Sequence, residues 1–125
     1  MAQGHILVVD DDETVRLMLK EVLEAAGYRV SLAEEGQSAL SSAWADRPDL
    51  IITDIDMPVI DGRHTMAMFE RDESISSVPV IVVSGTVGLG DVPDLLETTH
   101  ARAFFAKPVD QDELLSKIEE ILAAS

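Results

Sequence analysis

The chain has 125 residues, a length at which one domain can bury a substantial hydrophobic core without disulfides or structural metal. Its 24 acidic and 9 basic residues give a formal net charge of −15, which argues against direct binding to nucleic acid or to an anionic membrane. The absence of cysteine excludes a disulfide framework, a thiolate zinc site and a cysteine nucleophile. No apolar run approaches the roughly 20 residues of a membrane helix, and the opening MAQGH has no signal-peptide pattern. We therefore expect one cytoplasmic domain over residues 1–125, with proteins or cations as partners.

Short apolar strands alternate with helical patterns along the chain, which is typical of βα units and of a parallel sheet buried on both faces. The first strand is ILVV, and the helix after it ends at Gly27. Its apolar face consists of Val15, Met18, Leu19, Val22, Leu23 and Ala26. Val30 and Leu32 indicate a second strand, and a second helix reaches Trp44 before Pro48.

The second half of the chain continues the alternation with the strands LIIT, VIVV and AFFA. A third helix is anchored by Met66 and Phe69. A fourth helix around Leu95 and Leu96 is weakly predicted because glycines precede it, and glycine costs about 1 kcal/mol in a helix interior relative to alanine. The last helix follows Asp110 as its N-cap. Together these patterns predict five strands and five helices.

Four of the predicted strands lead directly into polar residues that can take part in chemistry. These are Asp10, Asp11 and Asp12 after the first strand, Asp54 after the third, Ser84 after the fourth and Lys107 after the fifth. The carboxyl ends of the strands of a parallel sheet form its ligand crevice, so we expect these side chains to meet. A carboxylate cluster suits Mg²⁺, and an aspartate beside it can be the nucleophile that forms an acyl phosphate.

The segments HILVVDDDE, LIITDIDMPVIDG, VPVIVVSGT and ARAFFAKPV together resemble the receiver domain of bacterial two-component response regulators. The resemblance covers essentially the whole chain and is to the stand-alone, single-domain chemotaxis type. It implies a flavodoxin-like, doubly wound (βα)5 fold. In such a fold the five parallel strands lie in the order 2-1-3-4-5, with helices on both faces of the sheet.

The resemblance also implies roles for individual side chains. Asp54 is similar to the phosphoacceptor of the family. Asp10 and Asp11 resemble the acidic pair that holds Mg²⁺, Asp11 directly and Asp10 through water. The main-chain carbonyl of Asp56 is a further ligand in this interpretation, and Asp54 itself lies against the metal.

Lys107 resembles the cation that pairs with the phosphoryl group, and Ser84 resembles the switch hydroxyl that binds a phosphoryl oxygen. Phe104 matches the mobile aromatic switch residue, and Pro108 the proline that follows the lysine in a cis peptide. In this family the lifetime of the phosphoryl group depends on the side chains two residues beyond the phosphoacceptor and two beyond the switch hydroxyl. Here these are Asp56 and Thr86.

The resemblance implies a signalling phosphoacceptor that catalyses only its own phosphorylation and dephosphorylation. The phosphoryl donor would be a phosphohistidine on a histidine kinase or a histidine phosphotransfer protein. Phosphorylation would change the conformation and with it the affinity for a downstream protein. Mg²⁺ is the one cofactor expected, with no nucleic-acid contact and no membrane insertion.

Two other functions are compatible with parts of the sequence. Asp54, Ile55 and Asp56 form the Asp-x-Asp pattern of phosphohydrolases that resemble haloacid dehalogenases. Such enzymes place this pattern near the first strand and carry a cap over the substrate, whereas here it follows the third strand without a cap. A receiver-like interaction domain that takes no phosphate is the other alternative, and the complete set of acidic, hydroxyl and lysine residues argues against it.

The remaining notable residues have structural interpretations. Asp12 and Glu13 are predicted to cap the first helix. Three isolated histidines, namely His5, His64 and His100, have no metal-ligand spacing and are expected at the surface or at strand edges. Trp44 has helical spacing to Leu40 and is expected to pack in the core.

Overall fold

A computed structural model of the protein describes residues 4–54, 71–73, 75–85, 101–107 and 109–124. Within these ranges one sheet is formed, and its five strands, in chain order, are β1 His5–Val9, β2 Arg29–Ala33, β3 Leu50–Asp54, β4 Val80–Ser84 and β5 Ala103–Ala106. All neighbouring strands are parallel, and their order is β2-β1-β3-β4-β5. The doubly wound parallel sheet expected from the sequence is therefore confirmed.

Three helices fall within the described ranges: α1 Glu13–Ala25, α2 Gly36–Ala45 and α3 Gln111–Ala124. The side chain of Asp12 caps α1 by accepting hydrogen bonds from the backbone N–H groups at its start, as predicted. Asp110 does the same for α3 through the N–H of Glu113. After α1, Gly27 has a φ of 97°, a left-handed conformation that favours glycine at a helix end. The two helices predicted around Met66 and Leu95 lie outside the described residues.

The sheet is buried on both faces because successive residues of each strand point to opposite sides. One side packs against α2 through a cluster of small and branched residues: Leu7, Val9, Ala39, Leu40, Ala43, Ile51 and Val82 are among them. The other side packs against α1 and α3, with a cluster that includes Ile6, Val8, Leu19, Leu23, Ile52, Leu114 and Ile118. This two-sided core holds the parallel strands in register, so that their carboxyl ends lie along one edge of the sheet.

Two side chains differ in exposure from what the sequence suggests. His5 lies at the end of a strand, as the first residue of β1, but it is buried: its ring Nε2 lies 2.6 Å from Ser31 Oγ and its backbone N–H donates to Asp49 Oδ2 at 2.8 Å. Trp44 is 61% exposed instead of packed in the core. Its indole N–H donates to the carboxylate of Asp72, which holds the ring at the surface beside α2.

Within the described ranges, no helix is long and apolar enough to cross a membrane.

Candidate functional site

The site begins at the carboxyl ends of two neighbouring strands, β1 and β3. The register pairs Val9 with Thr53, which brings the next residues, Asp10 and Asp54, to the same edge of the sheet. Both of these aspartates are almost completely buried, whereas Asp11 is exposed. One carboxylate oxygen from each of the three lies within 4.8 Å of the others. The predicted meeting of these acids at one point is therefore present in the structure.

Lys107 follows β5 at the same edge and reaches back across β4 towards the acids. Its Nζ atom lies 2.9 Å from Asp54 Oδ2, to which it donates a hydrogen bond, and 3.0 Å from Asp10 Oδ2. Neighbouring strands lie about 4.8 Å apart, and the four-carbon stem of lysine is long enough to span the intervening strand. One ammonium thus contacts two buried carboxylates from different strands.

The two oxygens of Asp10 have different surroundings. Oδ1 accepts a hydrogen bond from the backbone N–H of Asp12 at 2.9 Å, which closes a tight turn after β1. Oδ2 is buried and, among the described residues, receives no hydrogen bond of good geometry, although the ammonium of Lys107 lies at ion-pair distance from it. A buried carboxylate oxygen that lacks a hydrogen-bond donor can bind a metal ion, or accept a hydrogen bond from a water molecule bound to one.

Burial and charge shift the protonation equilibria of the site in defined directions. Burial raises the pKa of Asp10 above its ordinary value, and the nearby Asp54 adds to this, while the hydrogen bond from the Asp12 N–H and the adjacent ammonium of Lys107 oppose it only in part. Burial also lowers the pKa of Lys107, but its contacts with Asp54 and Asp10 outweigh that effect and raise this pKa overall. Lys107 is therefore held as a cation between the two acids.

The donor set fits a hard divalent cation. When all three carboxylates are ionised, the single ammonium of Lys107 leaves two negative charges in excess, which a divalent cation would compensate. Mg²⁺ is bound by one or two carboxylates and keeps several waters. Asp11 is exposed, so solvent can reach the cluster from its side.

The structure places the other predicted site residues only in part. Ser84 is the last residue of β4, and its backbone pairs with Ala106 of β5, directly before Lys107. Phe104 lies in β5 and packs, half-buried, against the α2 side of the core. Asp56, Thr86 and Pro108 lie outside the described residues, so their predicted roles stay predictions.

Arg16, in the first turn of α1, is a further residue of the site that none of the motifs above includes. Its Nη1 atom donates to the main-chain carbonyl oxygen of Asp10 at 2.6 Å, and its side chain is 11% exposed. A signal existed in the sequence, because Arg16 has helical spacing to Leu19 and Leu23 and so falls on the buried face of α1. A charged residue on such a face needs a polar partner in the interior.

Comparison with known proteins gives the same result as the topology and the site. The family model of the response regulator receiver domain matches residues 6–119 of the chain. The chain belongs to this family. The receiver domain is 35% identical over 118 residues to the response regulator PleD of Caulobacter vibrioides, a match that covers 94% of the chain. It spans only 26% of the length of PleD.

Other relatives have the length of a receiver domain alone. Protein PilH of Pseudomonas aeruginosa is 34% identical to this receiver domain over 120 residues, and the match covers 96% of the chain and 98% of PilH. The solved structure of the chemotaxis response regulator CheY4 of Vibrio cholerae superposes with a TM-score of 0.84 at 27% identity. That superposition covers 97% of this chain and 98% of CheY4. The family is one of signalling domains in two-component systems, as the sequence predicts.

Proposed function

We propose that this receiver domain is a phosphoacceptor switch in which Asp54 accepts a phosphoryl group. The donor is a phosphohistidine on a histidine kinase or a histidine phosphotransfer protein. The main support is the ammonium of Lys107, which contacts the carboxylates of Asp54 and Asp10. A carboxylate oxygen of Asp11 lies close enough to both acids for the three to bind one metal ion. This is the combination of nucleophile, cation and metal-binding acids that phosphoryl transfer to a carboxylate needs.

Asp54 is the acid best suited to be the nucleophile. Asp10 already uses Oδ1 to hold the turn after β1 and has a raised pKa, while Asp11 is exposed and has less protection from water. In the transfer, a carboxylate oxygen of Asp54 forms a bond to phosphorus as the phosphorus–nitrogen bond of the phosphohistidine breaks. The electron pair of that bond stays on the leaving imidazole. The products are an acyl phosphate on Asp54 and the histidine of the donor, whose imidazole is neutral when it carries one proton.

Charge compensation makes this attack possible, because an anionic carboxylate and an anionic phosphoryl group repel each other. Lys107 supplies a fixed positive charge beside the attacking oxygen. Mg²⁺, when bound, compensates the negative charge on the phosphoryl oxygens. The residues that would hold it are Asp11 directly, Asp10 through water, Asp54 itself and the main-chain carbonyl of Asp56.

Phosphorylation of Asp54 changes the contacts of Lys107 and Ser84, and this change drives a change of conformation. Once Asp54 carries a phosphoryl group, the ammonium of Lys107 binds phosphoryl oxygens instead of a bare carboxylate, and the hydroxyl of Ser84 binds another of these oxygens. In this proposal, binding of the phosphoryl oxygen moves Ser84, and that movement is coupled to Phe104 on the neighbouring strand β5. A domain with two such states changes its affinity for a downstream protein target to the extent that the target distinguishes them.

The proposal is tested by incubating the protein with a small phosphodonor such as acetyl phosphate and following its intact mass. We expect one phosphoryl group per chain with Mg²⁺ and little with a chelator. We expect pull-downs with the phosphorylated and unphosphorylated protein to recover different partner proteins. Labelling that is equally fast without divalent cation would contradict the proposed site.

A further inference from the structure

We propose that Arg16 is a positioning residue for the metal-binding acids, acting through the main chain of Asp10. This inference rests on the magnesium site proposed above and adds a residue that binds neither metal nor phosphoryl group. The relevant contact is the 2.6 Å hydrogen bond from Arg16 Nη1 to the carbonyl oxygen of Asp10. A hydrogen bond from a cationic donor is about twice as strong as a neutral one.

The accepting oxygen has a special place in the site. The carbonyl of Asp10 and the N–H of Asp11 belong to one planar peptide unit, whose two ends are the Cα atoms of these two acids. Fixing the oxygen of that peptide fixes the plane from which both acidic residues extend, and so restrains the directions in which their side chains leave the main chain. The guanidinium of Arg16 donates its hydrogen bond to this peptide.

The rest of the Asp10 main chain and side chain is also held. The N–H of Asp10 donates to the carbonyl of Ala33 on β2 at 3.1 Å, and Asp10 Oδ1 accepts from the N–H of Asp12 at 2.9 Å. With the carbonyl bound by Arg16, three polar atoms of Asp10 are directed by the protein. Oδ2 remains directed at Lys107 and at the space shared with Asp11 and Asp54.

The ion pair between Arg16 and Glu34 is not enough to explain why Arg16 is buried. Glu34 Oε1 lies 3.7 Å from Arg16 Nη2, but the Glu34 side chain is 78% exposed, and exposed pairs of this kind contribute little. Burying a guanidinium is costly without strong partners. The contact with Asp10 is the short one and is buried, so it is the contact that accounts for the position of Arg16.

Positioning and charge predict effects of opposite sign on metal binding. If Arg16 acted only as a buried positive charge, its removal would strengthen Mg²⁺ binding, since like charges repel. If it positions the acid pair, its removal weakens Mg²⁺ binding, and residues that orient metal ligands typically change metal affinity by about 10- to 100-fold. The dissociation constant of Mg²⁺ therefore separates the two explanations.

The test is an NMR titration with MgCl2 that follows the backbone amide signals of Asp11 and Asp12. We expect Arg16→Met to raise the dissociation constant of Mg²⁺ by about 10-fold or more, and Arg16→Lys to restore most of the affinity. Two controls are matched to it. Glu34→Gln removes the negative charge that pairs with the guanidinium, and Lys20→Met removes a half-exposed positive charge one turn further along α1, where the lysine pairs with Glu24. Both should bind Mg²⁺ as the wild type does.

A second measurement keeps the test decisive if Arg16→Met does not fold. In the wild type, a coupling between Mg²⁺ and the Arg16 contact is reciprocal, so bound Mg²⁺ should slow hydrogen exchange of the Arg16 guanidinium. Unchanged exchange, or an Arg16→Met variant that binds Mg²⁺ as tightly as the wild type or more tightly, would overturn the inference while leaving the proposed metal site intact. A wild type that binds no Mg²⁺ would overturn both.

Discussion

Lys107 donates a hydrogen bond of 2.9 Å to Asp54 while its ammonium lies 3.0 Å from Asp10. A single cation therefore holds together the ends of β1, β3 and β5, three strands that are distant in sequence. This arrangement stabilises two buried carboxylates that would otherwise repel each other. It also leaves the cluster with an excess of negative charge that a divalent cation would compensate.

Replacing Lys107 by methionine should destabilise the protein when no divalent cation is present. The substitution keeps an unbranched side chain of nearly the same length but leaves Asp10 and Asp54 without their ammonium, and breaking a buried ion pair from one side costs about 3 kcal/mol. Urea denaturation in chelator at neutral pH measures this. The matched control is Lys117→Met, which removes an exposed lysine that pairs with Glu120 and should change the free energy of unfolding by about 0.5 kcal/mol or less. Equal losses in the two variants would contradict a structural role for the Lys107 contacts.

Replacing Asp10 by asparagine should stabilise the metal-free protein at neutral pH and leave it nearly unchanged in acid. The pKa of Asp10 is raised in the folded state, so the folded protein binds this proton more tightly than the unfolded chain does. The contribution of Asp10 to stability therefore falls as the pH rises from its unfolded pKa through its folded pKa, and the ionised form is the unfavourable one. Denaturation curves of both proteins over a pH series in chelator should diverge with rising pH. Curves that converge towards neutral pH would show that the sign is wrong.

Mg²⁺ should stabilise the fold, because it binds acids that are brought together only in the folded state. At ten times its dissociation constant the gain in the free energy of unfolding is about 1.4 kcal/mol. Asp11→Asn should remove this gain, and without metal it should be neutral or stabilising because it removes a repulsion. Asp12→Asn is the control, since asparagine caps α1 as well as aspartate does and Asp12 is not among the clustered acids. If thermal unfolding of the wild type were the same in Mg²⁺ and in chelator, the metal site would be wrong.

Much of the fold follows from the sequence because its signals are local and repeated. Runs such as ILVV and LIIT can be buried on both faces only in a parallel sheet covered by helices, and parallel strand ends must share an edge. That is enough to predict that Asp10, Asp54 and Lys107 meet. The order of the strands came from the resemblance to a known family, since no residue in a strand specifies its neighbour by itself.

The placements that the sequence does not predict depend on polar partners that its local patterns do not reveal. His5 is buried because of Asp49 and Ser31, which are 44 and 26 residues further along the chain. Trp44 stays at the surface through Asp72, which is 28 residues away. Arg16 is buried although it is charged, because a main-chain carbonyl in the preceding turn accepts its hydrogen bond. Helical periodicity reports which face of a helix is apolar and gives no information about such polar contacts.

The lifetime of the phosphoryl group should depend on Asp56 and Thr86, which lie outside the described residues. An aspartate at the first position can accept a hydrogen bond from the attacking water and orient it in line, whereas a small threonine at the second leaves the phosphoryl group accessible. We expect Asp56→Met, and separately Thr86→Phe, to slow the loss of phosphate without preventing its gain. The decay of the phosphorylated protein after removal of the donor measures this. Faster decay in either variant would instead indicate that Asp56 repels hydroxide or that Thr86 does not control access.

The most direct test of the central claim is to locate the phosphoryl group on the chain. Borohydride reduces an aspartyl phosphate to an alcohol, so treatment after phosphorylation by acetyl phosphate and Mg²⁺ leaves a stable mark at the modified residue. Peptide mass spectrometry should then find the alcohol at position 54 in the wild type, and Asp54→Asn should yield no reduced peptide at all. Reduction found at Asp10 or Asp11 of the wild type, or labelling of Asp54→Asn equal to that of the wild type, would contradict the assignment of Asp54 as the phosphoacceptor.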